Sequence, residues 1–366
     1  MTTTARPLSE PARIAGPDEG ISPEELAMAG RNHSLLLEAL RYDVTPPGLH
    51  YVLVHYDVPQ LDPADWSLSV NGHVDRELVL DLERLRSYPA VSAPVTLECA
   101  GNGRAHLQPR PVSQPWLEGA VGTAVWTGAR LSDVLADAGP TDQAVDVVLT
   151  GADHGIERGV EQDYARGLPL AQALRPEILL AYEMNGAPLP PQHGFPVRVV
   201  VPGWYGMTSV KWLTSISVSD KPFEGFQNAV AYRFKADLDD VGEPVSTIAP
   251  RALMAPPGFP DFGSRRRIVE AGSVALSGRA WSGRAPITRV DVSPDGGSTW
   301  QDTVLEPALG RYAWARWSTR WQATPGDHEL CVRATDATGE SQPLEPPWNA
   351  AGVANNAVQR VFVHAR

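Results

Sequence analysis

The spacing of hydrophobic residues changes along the chain, and helical and strand-like segments alternate in its first two thirds. Residues 22–25, Ser-Pro-Glu-Glu, supply an N-cap, a proline for the first turn and the glutamate of a capping box. They therefore predict the start of a helix. Apolar residues recur at helical spacing over 131–138 and predict another helix, which ends at Gly139.

Apolar runs predict the strands of this first part. The run 178–184 ends in Asn185-Gly186, a dipeptide typical of tight hairpin turns. The run 197–201 is rich in β-branched residues, as expected of a strand buried on both faces. Shorter strand-like runs occupy 51–55 and 66–70, and an Asn71-Gly72 turn follows the second of them.

The last third has a different pattern. Acidic residues, prolines and glycines over 236–265 indicate a connection between two domains. Only short strand-like runs come after it, with a Pro-Asp-Gly-Gly turn at 294–297, and this pattern predicts a β-sandwich. Cys331 lies between apolar neighbours in one of these runs, so we interpret it as an inert thiol. The runs are 273–278, 287–292, 299–305, 329–334 and 358–364.

Composition and charge exclude several classes of function. The 366 residues are enough for two domains, each with its own core. The formal net charge of −12 disfavours nucleic-acid binding, and an anionic substrate would need a local basic pocket. No apolar run approaches the roughly 18 residues of a membrane span. The first residues lack the apolar region of a signal peptide, so we expect neither membrane association nor export.

The cysteine count limits the cofactors. The chain has two cysteines, Cys99 and Cys331, far apart in the sequence. Two cysteines so far apart cannot form a haem-attachment motif, a four-cysteine cluster site or a disulfide framework. The count suits a reducing compartment, so we expect a cytoplasmic protein in which Cys99 acts as a single thiolate.

The most informative segment is residues 95–104. A β-type run over 95–97 leads to Cys99, and a Gly-Asn-Gly turn and Arg104 follow. A thiol at the end of a strand is held in place, and small residues after it allow a large group to approach. Taken alone, the segment also fits a buried cysteine beside a loop.

A second distinctive segment is the string His-Gly-Phe-Pro-Val-Arg at 193–198, which continues to Ser-Val-Lys-Trp at 209–212. Together with Cys-Ala-Gly-Asn at 99–102 and the string at 179–186, it resembles the sulfite oxidase family of molybdenum-cofactor enzymes. The resemblance runs from about residue 50 to the C-terminus.

The resemblance implies an α+β fold and a domain plan. Residues 1–45 would form an N-terminal arm and helix, and 46–240 a mixed α/β molybdopterin-binding domain. Residues 250–366 would form an immunoglobulin-like domain through which the chain forms a homodimer. The family's haem domain has no counterpart in the sequence, so the implied cofactor is Mo-molybdopterin without haem.

The resemblance also implies roles for single residues on the cofactor side. Cys99 matches the family's sulfur ligand to molybdenum, and a thiolate suits a soft, sulfur-bound metal. His193, Arg198 and Lys211 match residues that hold the phosphate end of the pterin, where cations are favourable. Asp153 and His55 also match residues that contact the cofactor. Tyr51 and Ser209 match cofactor contacts made mainly through backbone atoms.

Two matches fall on the substrate side. Tyr232 matches the family's active-site tyrosine, whose phenol can donate a hydrogen bond to a metal oxo group or a bound oxyanion. Arg104 matches an arginine that closes the loop after the metal-binding cysteine and can stabilise an anion or relay a proton. The implied substrate is a small oxyanion or oxo compound, and the electron acceptor or donor is an external partner that the sequence does not name.

Two departures from the family pattern concern the substrate pocket. Leu53 and Val54 replace the arginine and asparagine of an Arg-Asn-His string, and Ala351 replaces an arginine that follows Trp-Asn. Each charge-assisted hydrogen bond to an oxyanion contributes about 1.5–3 kcal/mol. Losing both arginines without replacement would therefore weaken sulfite binding by several orders of magnitude.

Other arginines are candidate replacements. The string Arg-Asn-His at 31–33 spells the missing motif at the wrong distance from Cys99. The helix that begins at Ser22 could still bring Arg31 or Arg41 over the site. Arg166 is a further candidate, but we interpret it as a solvated surface charge.

Three functions are compatible with these residues. The first is oxygen-atom transfer at a molybdenum–oxo centre, with oxidation of sulfite to sulfate as the default reaction of the family. The second keeps the cofactor but reduces an S-oxide, an N-oxide or a similar small oxo compound. The third is a cofactor-free binding or scaffold protein on the same fold, which a stoichiometric molybdenum content would exclude.

Overall fold

Strands dominate the chain, and helices are few and short. The computed structural model describes residues 13–366, so residues 1–12 of the predicted arm lie outside the described residues. The α-helices are α1 (Pro23–Arg31), α2 (Leu82–Arg86), α3 (Leu131–Ala138) and α4 (Leu170–Ala173). Shorter turns of 3₁₀-helix lie at Leu37–Arg41, Pro47–Leu49, Arg104–His106, Pro191–His193 and Gly206–Thr208, and a π-helix at Gln227–Ala231.

The strands fall into two groups along the chain. The first group comprises β1 (Leu68–Gly72), β2 (Leu78–Leu80), β3 (Ala90–Glu98), β4 (Val121–Arg130), β5 (Asp146–Glu157), β6 (Val160–Pro169), β7 (Leu179–Met184), β8 (Ala187–Pro188), β9 (Arg198–Val200), β10 (Leu213–Ser219), β11 (Arg233–Phe234) and β12 (Glu243–Pro244). The second group comprises β13 (Arg251–Met254), β14 (Phe259–Pro260), β15 (Arg267–Val269), β16 (Gly272–Trp281), β17 (Ile287–Ser293), β18 (Gln301–Asp302), β19 (Val304–Leu305), β20 (Ala315–Ala323), β21 (Gly326–Asp336) and β22 (Gln359–Ala365).

Two sheets and the helices beside them form the first unit. One sheet has the order β2-β1-β10-β5-β6, and the other has the order β3-β4-β7-β8, with β9 also paired to β7. Fully buried side chains from both sheets and from α3 form one core, including Leu68, Leu149, Leu180 and Leu135. Each such side chain stabilises the fold by about 1.5–3 kcal/mol. This core fixes the strand ends that carry the site.

Local sequence signals account for the ends of several elements. The Ser22 hydroxyl accepts a hydrogen bond from the Glu25 N–H, and the Glu25 carboxylate accepts one from the Ser22 N–H, so the predicted capping box of α1 is confirmed. Helix α3 ends at Gly139, whose φ of 70° is a left-handed conformation that favours glycine. The predicted hairpin at Asn185-Gly186 is also confirmed, because it joins β7 to β8.

Three local predictions are wrong. Residues 51–55 form no regular strand, and only Val52 pairs, in a single bridge with His33. The predicted turn at Asn71-Gly72 lies within β1, because Gly72 continues the parallel pairing with β10. The segment predicted as a connection includes β13, which is fully buried and pairs with β16.

The second unit is a β-sandwich, as the sequence predicts. Its sheets have the orders β13-β16-β20-β19 and β14-β15-β22-β21-β17-β18. Buried residues of both sheets, such as Trp317 and Leu330, form the core between them. Another buried cluster joins the two units and includes Tyr205 and Trp314. Within residues 13–366, no helix has both the length and the apolar content needed to cross a membrane.

Candidate active site

The loop after β3 brings a thiol and a guanidinium together. Cys99 follows the last residue of β3 directly, its N–H donates to the Ala120 carbonyl at 2.9 Å, and its side chain is buried. A Cβ on Gly101 would lie 2.7 Å from the Arg104 guanidinium, so the glycine allows this arginine to fold back over the loop. Burial raises the pKa of the Cys99 thiol, and the charge of Arg104 opposes that rise.

A buried ion pair between Glu98 of the first unit and Arg251 of the second unit holds this loop. The Glu98 carboxylate accepts hydrogen bonds from Asn102 Nδ2 at 3.0 Å, Arg251 Nη1 at 3.1 Å and Trp281 Nε1 at 2.8 Å. Arg251 Nη1 also donates to the Asn355 carbonyl at 2.6 Å. Burial raises the pKa of Glu98, and Arg251 and the other donors oppose that rise. The position of Cys99 therefore depends on both units.

Replacing Arg251 with methionine is expected to destabilise the protein by about 3–5 kcal/mol, because it leaves the Glu98 carboxylate buried without its cation. Arg316→Met provides the control, because Arg316 pairs with Asp43 at the surface, where a pair contributes about 0–1 kcal/mol. Urea unfolding of the three proteins measures the difference. If the free energy of unfolding fell by the same small amount in both variants, the buried pair would not be important for stability.

Two cavities meet at the Cys99 side chain. Their linings share Leu53, His55, Cys99 and Tyr232. The first cavity is also lined by His50, Tyr51, Val52, Leu97, Asp153, Tyr164, Gln192, His193, Arg198, Gly206, Met207, Ser209 and Lys211. The second is also lined by Met28, Arg31, Asn32, Val54, Arg104, Ser113, Gln114, Trp116, Glu157, Arg158, Ala231 and Ala351.

The first cavity contains buried polar atoms without partners among the described residues. These are Nε2 of His50, Nε2 of His193 and Oδ1 of Asp153. Buried polar atoms are almost always hydrogen-bonded in native proteins, so several orphaned atoms around one cavity indicate a polar ligand. Sequence reasoning missed His50, whose ring meets that of His193 edge to face with centroids 5.3 Å apart.

The cations of the first cavity are held by backbone carbonyls. Arg198 donates to the carbonyls of His193 at 3.1 Å and Ser209 at 2.9 Å, and Lys211 Nζ donates to those of Leu53 at 2.8 Å and Gln192 at 3.0 Å. Burial lowers the pKa of Arg198 to about 10. Burial, with the nearby charge of Arg198, lowers the pKa of Lys211 to about 7. A bound anion would offset these costs of burying charge.

Anion binding in this cavity should weaken as pH rises. Burial raises the pKa of Asp153 to about 7 against the opposing charge of Lys211. As pH rises through about 7, Lys211 loses its positive charge and Asp153 becomes negative, so both changes disfavour an anion.

We expect cofactor-free protein to bind sulfate, a dianion throughout this range, about tenfold more weakly at about pH 8.5 than at about pH 6. Calorimetric titration at constant ionic strength measures the effect. Lys211→Met should weaken binding and reduce the pH dependence. A wild-type affinity that does not change with pH would contradict the assignment.

A tyrosine and a histidine share a hydrogen bond at the junction of the cavities. The Tyr232 hydroxyl lies 2.8 Å from His55 Nε2. Burial lowers the pKa of His55 to about 4, and Lys211, Arg31 and Arg104 lower it further against Glu157. Burial also raises the pKa of Tyr232. At neutral pH the histidine is therefore neutral and the phenol protonated.

Arg166 lies next to this pair, and its interpretation as a solvated charge is wrong. Only 4% of the residue is exposed, and its guanidinium lies 5.7 Å from the centre of the Tyr232 ring. It also donates to the Gln227 carbonyl. The residue belongs to the interior beneath Tyr232, where its positive charge opposes the rise in the Tyr232 pKa that burial causes.

Three arginines line the second cavity. Arg104 is fixed by Gly352 and Gln114, whose carbonyls accept from its Nε and Nη1, both at 3.0 Å. Arg31 reaches the cavity from the end of α1, and Arg158 reaches it from the turn between β5 and β6. Sequence reasoning missed Arg158, because a hairpin turn carries no signal of what it faces.

Arg41, another candidate replacement for the missing arginines, lines neither cavity. Its Nη2 donates to the Tyr42 hydroxyl at 3.0 Å. Leu53, Val54 and Ala351, the residues of the two departures from the family pattern, do line the second cavity. The structure thus brings together every residue assigned to the cofactor or the substrate, and adds Arg31, Arg158 and His50 to them.

The side chains around Cys99 fit an organic ligand that already carries its metal. Within residues 13–366, no group of three or more His, Cys, Asp or Glu side chains is arranged to hold a metal ion. A metal at Cys99 would need further donors from a bound organic ligand. The polar first cavity, with its orphaned atoms and two cations, fits such a ligand with an anionic end.

Family models match both units. The model of the oxidoreductase molybdopterin binding domain matches residues 55–227, and that of the Mo-co oxidoreductase dimerisation domain matches residues 264–366. With the arrangement around Cys99, these matches define a molybdopterin-dependent oxidoreductase. The second match also supports assembly as a homodimer.

Similar proteins define the class more narrowly. The chain is 36% identical to sulfite oxidase of Gallus gallus over 349 residues, which cover 87% of this chain and 72% of that protein. The solved structure of the sulfane dehydrogenase SoxCD from Paracoccus pantotrophus superposes with a TM-score of 0.80 at 25% identity, covering 99% of this chain and 92% of that one. The chain belongs to the sulfite oxidase family.

Family membership leaves the substrate open. The chain is 38% identical to mitochondrial sulfite oxidase of Mus musculus over 343 residues, which cover 87% of this chain but only 61% of that protein. It is also 33% identical to nitrate reductase [NADH] 1 of Oryza sativa over 355 residues, which cover 88% of this chain and 38% of that enzyme. These relatives act on different oxyanions, so the substrate must be argued from the cavity.

Proposed function

We propose that the protein oxidises a small sulfur oxyanion, with sulfite as the first candidate. The observation that carries this proposal is the lining of the second cavity. Arg31, Arg104 and Arg158 line this cavity together with Cys99 and Tyr232, and Glu157 is the only acidic residue of that lining among the described residues. This local excess of positive charge in a chain of net charge −12 favours an anionic substrate.

The first cavity would hold the molybdenum cofactor. Arg198, Lys211 and His193 would bind its phosphate end, and Asp153 and His50 offer polar atoms without partners in residues 13–366. Cys99 would supply the protein's thiolate to the metal. When bound, the cofactor supplies two-electron, oxygen-atom transfer chemistry.

The protein's own groups would orient the substrate and control its charge. Arg104, held by two carbonyls, would bind the anion with little rearrangement. The Tyr232 hydroxyl, shared with neutral His55, can donate a hydrogen bond to an oxygen of the substrate or product. Sulfite and water give sulfate, two protons and two electrons, and the electrons leave to an external acceptor.

A second candidate keeps the cofactor and reverses the direction. Leu53, Val54 and Ala351 give the second cavity an apolar wall where the family pattern has two arginines and an asparagine. Such a wall favours a neutral S-oxide or N-oxide over a doubly charged anion, because an unpaired charge loses solvation there.

Assays in both directions separate the two candidates. Purified enzyme is tested for sulfite-dependent reduction of ferricyanide. In parallel it is tested for oxidation of a reduced viologen dye by dimethyl sulfoxide, trimethylamine N-oxide or nitrate. We expect sulfite turnover with a KM in the micromolar range. Turnover with the oxo compounds alone would overturn the proposal, and a preparation that binds no molybdenum when the cofactor is supplied would exclude both candidates.

A further inference from the structure

We propose that Arg31, at the end of α1, takes the place of the arginine absent at position 53 and sets the preference of the enzyme for anionic substrates. This inference rests on the proposed function, because it assigns a specificity-determining residue to the same cavity. Arg31 and Leu53 both line that cavity although they are far apart in sequence.

The segment 31–33 lies antiparallel to the segment that lacks the arginine. The N–H of His33 donates to the Val52 carbonyl at 3.2 Å, and the N–H of Val52 donates to the His33 carbonyl at 2.9 Å. The N–H of Val54 donates to Asn32 Oδ1 at 2.7 Å, and Arg31 Nη2 donates to the Tyr56 carbonyl. An Arg-Asn-His string thus lies beside Leu53, on the same wall of the cavity.

The position of Arg31 is fixed by its neighbours. Asn32 is buried, and its Nδ2 donates to the Met28 carbonyl and to Gln114 Oε1, both at 2.9 Å. At the other end of α1, the buried Glu25 carboxylate accepts from Arg110 at 2.8 and 3.0 Å. A guanidinium held in this way loses less conformational entropy on binding an anion than a free surface arginine.

Arg31 and Arg104 differ in their exposure to solvent. The residue is exposed overall, whereas Arg104 is buried at the inner end against Gly352 and Gln114. The charges of Arg31 and Arg104 both act on His55, whose ring nitrogen shares the hydrogen bond with Tyr232. Both positive charges therefore act on the hydrogen-bonded pair of His55 and Tyr232. Arg158 lines the same cavity from the turn between β5 and β6.

The proposal is tested with Arg31→Met in the molybdenum-loaded enzyme. Loss of one charge-assisted hydrogen bond should raise the KM for sulfite about tenfold and leave kcat within about twofold, because the group binds the anion and does not take part in the chemistry. Arg41→Met is the matched control, since it removes the same charge from an arginine outside both cavities. Its KM should not change.

A rescue experiment tests the position of the charge. In the double variant with Arg31→Met and Leu53→Arg, the family's own arginine is restored on the same wall, and the KM should return toward the wild-type value. Arg31→Lys keeps the positive charge but lacks the planar guanidinium, which can bind an anion through two N–H groups. It provides a second variant if the methionine variant does not fold. Failure of Leu53→Arg to lower the KM of Arg31→Met would overturn the idea that the two positions serve the same anion.

Binding of sulfate, measured without turnover, separates this inference from the proposed function. In the molybdenum-loaded proteins, whose first cavity the cofactor would fill, we expect sulfate to raise the melting temperature of wild type more than that of Arg31→Met. If wild type does not oxidise sulfite but the sulfate shift still depends on Arg31, the proposed function is wrong and the inference stands. If wild type oxidises sulfite and Arg31→Met matches it in KM and in sulfate shift, the inference is wrong and the function stands. An enzyme with neither sulfite turnover nor a sulfate shift overturns both.

Discussion

Cys99→Ser is expected to abolish sulfite oxidation while leaving the protein folded. The thiol lies at the junction of the two cavities, and a serine hydroxyl is a harder and weaker ligand for a sulfur-bound metal. Serine is also slightly smaller, so the buried loop can accept it with little strain. Steady-state turnover with ferricyanide, together with molybdenum content and thermal unfolding, measures the effect.

Cys331→Ser is the matched control. Cys331 is also fully buried, but it lies in β21 of the sandwich, remote from both cavities. We expect this variant to lose little stability, because the Cys331 side chain lies beside Arg360 on the face of β21 opposite the core residues Leu330 and Val332, and to keep full turnover per molybdenum atom. If Cys99→Ser retained activity, the thiol would not be a ligand and the assignment of the site would be wrong.

Tyr232→Phe should lower kcat/KM for sulfite roughly 100-fold, the usual effect of removing one hydrogen-bond donor from a charged reaction site. The ring and its contact with Arg166 would remain, so the variant removes only the hydroxyl that lies 2.8 Å from His55 Nε2. Steady-state kinetics at several pH values measures the loss. If the hydroxyl acts on the reacting anion, kcat should fall as well as kcat/KM.

Tyr56→Phe is the control for this substitution. Tyr56 lies close by, with its ring 6.4 Å from that of His55, but it lines neither cavity. We expect its kinetic constants to stay within about twofold of wild type, the size of effect usual for a change that touches no reacting group. Equal losses in the two variants would mean that packing around His55, and not the Tyr232 hydroxyl, accounts for the effect.

Local signals were enough to predict much of this fold. The capping box at Ser22, the helix that ends at Gly139 and the hairpin at Asn185-Gly186 each depend on a few adjacent residues, and each is present. The sandwich was predicted from its short strands and turns. The prediction failed for residues 51–55, whose apolar run is typical of a strand, because backbone groups of this segment bind the side chains of Asn32 and Lys211 instead of a neighbouring strand.

The candidate site was predictable where it is encoded in continuous strings. Cys99 with Arg104, and His193 with Arg198, belong to such strings, and the structure places them around the two cavities. The distance of Arg31 from Cys99 could not be predicted, because it depends on long-range contacts such as Asn32 with Val54. Long-range contacts also decide that Arg166 is buried and Arg31 exposed, and residue type alone does not predict this difference.

The contacts between the sandwich and the Cys99 loop limit how the two units of this chain can be recombined with those of other proteins. Arg251 and Asn355 are encoded far downstream of the redox unit, yet they anchor the turn next to its thiol. In a chimera of the first unit with the sandwich of another protein, the turn after Cys99 would lose these hydrogen bonds unless Arg251 and Asn355 were kept. Substitutions in either unit are therefore constrained by these contacts with the other unit.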